Sequence, residues 1–108
     1  MLMVVQARSE SGSHSMSYEL QFLEEALSEW QRLDGSVKTL FKKKLAERLE
    51  YPRLPSARLS GHQDRYKIKL RSIGYRLVYE VQDNLLVVLV VAVGRRDKNA
   101  VYKIAEGR

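Results

Sequence analysis

Nine consecutive apolar residues, "LLVVLVVAV" from Leu85 to Val93, constrain this chain more than any other feature. Successive side chains of a strand point to opposite faces, so a strand with one wet face alternates apolar and polar residues. A segment that is apolar throughout has both faces covered and lies inside a sheet, between packing layers. As a helix the run is far short of the roughly 20 residues a membrane span requires. It is the longest apolar run in the chain, so no membrane segment is expected.

The rest of the chain supplies what covers those faces. In "YELQF", Tyr18, Leu20 and Phe22 alternate as in a half-buried strand. Leu23, Ala26, Leu27, Trp30 and Leu33 then recur at helical spacing, with Glu24, Glu25, Ser28, Glu29 and Arg32 on the opposite face. Gly35 in "DGS" suits a left-handed C-cap, and Ser36 suits the N-cap of a second helix. The stripe of that helix is Val37, Leu40, Phe41, Leu45 and Leu49, and Pro52 ends it. Lys42, Lys43 and Lys44 fall mostly on its wet face and read as solvation. Two more strands, Arg65 to Arg71 and Tyr75 to Val81, turn at Gly74, and Asp83-Asn84 turns the chain into the apolar run. "RRDKNAVYKIAEGR" reads as a loop and a short helix. The expected fold is α+β: a helical hairpin packed on a twisted, mostly antiparallel sheet of four strands, in the order β-α-α-β-β-β with a short C-terminal helix. That domain spans residues 16–108. "MLMVVQARSESGSHS", residues 1–15, reads as a mobile leader outside it.

A chain of 108 residues holds one core. The absence of cysteine excludes disulfides and thiol chemistry and fits a reducing cytoplasm. With only His14 and His62 besides, a soft-metal site is not expected, and nothing in the sequence calls for a cofactor. Charge is informative. Residues 1–51 carry seven bases and eight acids, net −1, whereas residues 52–108 carry twelve bases and five acids, net +7. A basic half of a small protein points to a polyanion, either nucleic acid or an acidic protein.

"YKIKLRSIGYRLVYEV", residues 66–81, concentrates that charge. Tyr66, Ile68 and Leu70 point to one face, while Lys67, Lys69 and Arg71 point to the other. A tight Ile73-Gly74 turn would set Arg71 opposite Arg76, Lys69 opposite Val78 and Lys67 opposite Glu80. The two apolar faces coincide in that register, and a slip of one residue would bury the lysines. Continued through the Asp83-Asn84 turn, the same pairing sets Arg76 opposite Val91 and brings Gly94, Arg95 and Arg96 near it, with Arg95 on its face. Arginine forks suit phosphate oxygens. Lysines two apart on one face suppress each other's protonation, which leaves one able to take a proton. Such a patch binds phosphate, and its geometry decides whether it also reacts.

"YKIKLRSIGYRLVYEV" followed by "VVLVVAVGRRDKNAVY" resembles the RelE family of toxins from type II toxin–antitoxin modules, over Ser17 to about Tyr102. The resemblance implies a cytoplasmic, metal-independent endoribonuclease that cuts messenger RNA in the ribosomal A site through attack of a ribose 2′-hydroxyl on the adjacent phosphate. It assigns catalysis to Lys67, Lys69, Arg76, Arg96 and Tyr102, with Lys67 and Lys69 acting in proton transfer and ground-state binding and Lys69 the preferred base of the two. Arg76 and Arg96 would stabilise the phosphorane, and Tyr102 would stack on or orient the nucleotide. Arg65, Arg71, Arg95 and Lys98 are expected to contact RNA or the ribosome. Ser60 stands where family members often carry a base. His62 reads as a solvated loop residue. The implied partners are the 70S ribosome, messenger RNA and a RelB-like antitoxin, acidic and partly disordered, that forms a hetero-oligomer with the toxin. Two other readings stand beside this one: a non-enzymatic toxin of the ParE kind that binds DNA gyrase, and a degenerate member that binds RNA without cutting it.

Overall fold

A computed structural model describes residues 2–4, 17–95 and 100–108. Along the chain run β1 (Leu2–Val4), β2 (Glu19–Leu23), α1 (Glu24–Gln31), α2 (Gly35–Glu50), β3 (Arg65–Leu70), β4 (Tyr75–Gln82), β5 (Val87–Arg95) and α3 (Ala100–Glu106). The sheet order is β1-β2-β5-β4-β3, with β2 and β5 parallel and the other pairs antiparallel. The four expected strands, the hairpin and the closing helix are all present. The sheet gains a fifth strand from the segment expected to be a leader, because Leu2–Val4 pair with Gln21–Leu23. The remainder of that segment, with His14, lies outside the described residues.

The all-apolar run sits where its composition requires, between two layers. Val88, Val90 and Val93 join Phe22, Phe41, Leu45, Ile68, Leu77 and Tyr79 under the helical hairpin. Val87, Leu89, Val91 and Ala92 join Leu59, Val78, Val101 and Ala105 under α3. Trp30 and Tyr79 are core residues: Trp30 packs on Phe22 and Phe41, and Tyr79 stacks on Tyr66. Lys42, Lys43 and Lys44 are exposed.

Several local expectations are corrected. Gly35 is not a left-handed cap: α1 closes with Arg32 in the right-handed region, and its last N–H groups reach the carbonyls of Glu29 and Trp30. Gly35 is the first residue of α2, and Asp34, not Ser36, occupies the N-cap position. The buried row of α2 is Val37, Phe41, Leu45 and Leu49, a strict i,i+4 line, while Leu40 is 43% exposed on its flank. The apolar strand begins at Val87 rather than Leu85. Asp83–Leu85 form a 3-10 turn, Leu86 takes a left-handed conformation at φ 54°, and Leu85 is 62% exposed.

Register also departs from the tight-turn expectation. Lys69 faces Arg76, Lys67 faces Val78 and Arg65 faces Glu80, a displacement of two residues on β4. An even displacement keeps both apolar faces together, so hydrophobicity cannot distinguish the two pairings; the turn decides. It takes in Arg71 to Gly74, with Gly74 at φ +73° and its N–H donating to the Leu70 carbonyl at 2.9 Å. Open space surrounds the position of a Gly74 Cβ. Gly74→Ala is therefore expected to cost about 1 kcal/mol from backbone strain alone, measured by urea unfolding, with no change in fold.

A cationic face between β3, β4 and α3

Lys67 and Lys69 lie on the α3 side of β3, and Arg76 on the same side of β4; all three are half-buried. Register sets Arg76 directly across from Lys69. Like charges side by side disfavour one another, and the consequence falls on Lys69. Desolvation, then the positive charges of Lys67, Arg76 and Arg71, hold its ammonium below the ordinary lysine range. α3 completes the wall. Its Tyr102 hydroxyl accepts a hydrogen bond from Arg76 Nη1 at 2.8 Å, and the guanidinium carbon stands 5.5 Å from the ring centre. Tyr102 therefore holds Arg76 in place, a contact the stacking role implied by the resemblance did not anticipate.

The other expected residues divide. Arg71 is exposed in the turn, outside the strand, and contributes its charge to Lys69 from there. Arg65 is already engaged: its Nε pairs with Glu80 at 3.1 Å and its Nη1 donates to the Ala105 carbonyl of α3 at 2.7 Å. The expectation that Arg95 shares the face of Arg76 is overturned. Arg95 pairs across from Tyr75 on the hairpin side, donating to the Tyr75 hydroxyl at 3.4 Å, and Arg76 faces Gly94, not Val91. The cause is a bulge: Val78 faces Ala92 while Tyr79 faces Val90, so Val91 is an extra residue and the alternation of β5 reverses beyond it. Arg96 and Lys98 lie outside the described residues.

Sequence reasoning missed the side chains that hold this face. His62, expected to be solvated, contacts Glu106 of α3. Arg48 of α2 donates to the Lys67 carbonyl at 3.2 Å and the Tyr79 hydroxyl at 2.8 Å. Glu29, placed on the wet face of α1, is half-buried and bonds Arg108. A glutamate on the polar face of an amphipathic helix and an arginine in a polar tail carry no periodic signal of such a contact.

A basic face of two lysines, an arginine and a tyrosine can grip a phosphodiester, neutralise charge developing on phosphorus and accept a proton at Lys69. Comparison with known proteins gives the same direction. Residues 20–100 match the family described as the ParE toxin of type II toxin–antitoxin system, parDE. The chain is 52% identical over 93 residues to the mRNA interferase toxin RelE of Escherichia coli (strain K12), covering 86% of this chain and 98% of that one. A mutant of the E. coli toxin RelE in the free state superposes with a TM-score of 0.79 at 50% identity, over 86% of this chain and 98% of the other. The toxin in the intact E. coli RelBE toxin–antitoxin complex gives 0.72 at 52% identity, over 75% and 99%.

Proposed function

The chain belongs to the RelE family of the RelE/ParE toxins of type II toxin–antitoxin systems, and from that premise we propose that it is a ribosome-dependent messenger RNA interferase. The observation that carries this reading is the convergence of Lys67, Lys69, Arg76 and Tyr102 on one half-buried face, with Lys69 held below its ordinary range. In the proposed reaction the Lys69 amine takes the proton of a ribose 2′-hydroxyl as its oxygen attacks the adjacent phosphorus. The bond from phosphorus to the 5′-oxygen breaks and the leaving oxygen takes up a proton from water, giving a 2′,3′-cyclic phosphate and a 5′-hydroxyl. Arg76 offsets the charge on the phosphorane, aided by Arg96. Lys67 holds the phosphate in the ground state, and Tyr102 both orients Arg76 and stands ready to contact the nucleotide. Arg71 extends the cationic surface toward RNA, Arg95 contributes from the opposite side of the sheet, and the family resemblance adds Lys98 as an RNA contact.

The proposed partners are the ribosome with its messenger RNA and, in the inhibited state, an acidic antitoxin similar to the RelB found with E. coli RelE. With these partners the proposed site of action is the cytoplasm. Among the described residues, no helix is long and apolar enough to cross a membrane. In vitro translation followed by primer extension tests the reading. New 3′ ends within the A-site codon, dependent on ribosomes, are expected. Equal cutting of naked RNA would remove the ribosome dependence. Intact messenger together with blocked gyrase supercoiling would establish the ParE kind of action instead.

A further inference from the structure

β2 turns into α1 after Leu23 and pairs with β5 only as far as Val90. Beyond that point, among the described residues, the outer edge of β5 has no neighbouring strand, and this is where Val91 is bulged. Two side chains take the missing strand's place. Arg108 Nη1 donates to the Val91 carbonyl at 2.9 Å, and Glu29 Oε1 accepts the Val93 N–H at 3.1 Å. The same two residues bind each other through both carboxylate oxygens, at 2.9 Å each, with side chains only 17% and 21% exposed. One ion pair therefore grips the β5 backbone at the bulged residue and two residues beyond it, and ties α1 to the segment that follows α3.

We propose that Glu29 and Arg108 form a staple that positions the cationic face, fixing the phase of β5 beyond its bulge and the seat of α3. The phase matters because a one-residue change would exchange Gly94 and Arg95 across from Arg76. The seat matters because α3 has seven residues and fully buries only Val101 and Ala105. A helix that short has little stability of its own, so its polar ties decide where Tyr102 stands. Glu29 and Arg108 touch no reacting atom; they act through the strand and helix they hold.

The kinetic arm of the test rests on the proposed RNA cleavage, while the second arm does not. Arg108→Ala is expected to lower kcat about tenfold with KM nearly unchanged, since orientation rather than binding is lost. Amide exchange in α3 should accelerate about tenfold while α2 keeps its protection. Arg108→Lys, which keeps the charge but loses the fork, should fall between wild type and Arg108→Ala in both measurements. Glu29→Gln, which keeps an acceptor for Val93, should also loosen α3 without unfolding the hairpin. Unchanged α3 exchange in Arg108→Ala, or equal loss of protection in α2 and α3, would overturn the staple. Faster α3 exchange with undiminished cleavage would overturn its positioning role. If the wild-type protein cut no RNA, the proposed function would fall, and the exchange arm would still decide the staple.

Discussion

Arg76→Ala is expected to slow messenger RNA cleavage by about 10²–10³-fold, the usual consequence of removing a preorganised donor from a developing oxyanion. The guanidinium is half-buried, set across from Lys69 and braced by Tyr102, so little reorganisation is needed when charge accumulates on phosphorus. Ribosome binding should change little. The positive charge that draws the protein to RNA is spread over residues 52–108, whose twelve bases and five acids leave a net +7, and removing one phosphate contact weakens association modestly. Single-turnover cleavage on programmed ribosomes, set beside co-sedimentation, separates the two quantities. Losses of equal size in rate and binding would show that Arg76 serves as a general RNA contact.

Much of this architecture was legible because its signals are periodic. Alternation in "YKIKL" and the i,i+4 row of α2 each follow from burying one side of an element. The unbroken apolarity of β5 follows from burying both sides. The same uniformity hid the feature that matters most for the site. Where every residue is apolar, an extra one at Val91 leaves no mark on the pattern, so Arg95 was expected on the wrong face. Register failed for a related reason: shifts of two residues are invisible to hydrophobic matching, and the length of the Arg71–Gly74 turn had to settle it. Lys67, Lys69 and Arg76 were nonetheless placed together, since an even shift preserves faces. Arg65 reads from sequence as one more cation, and only tertiary contact with Glu80 and Ala105 shows that it supports α3. Charge in a sequence reports composition; whether that charge is free or already paired depends on elements far apart along the chain.

Lys69→Ala is expected to reduce kcat/KM by about 10²–10⁴-fold, the range for loss of a positioned general base. The pH dependence gives the sharper test. A basic amine must be neutral, so cleavage should rise with pH as Lys69 loses its proton. Desolvation together with Lys67, Arg76 and Arg71 moves that rise below the ordinary lysine range. The residual activity of Lys69→Ala should lack this limb. Lys67→Ala should keep the limb but move it to higher pH, because removing a neighbouring positive charge makes the Lys69 ammonium easier to retain. The direction separates two roles. If Lys69 acted as an ammonium that grips phosphate, activity would fall as pH rose through its titration, and Lys67→Ala would extend activity to higher pH. A rising limb that persists in Lys69→Ala would assign the proton transfer to another group.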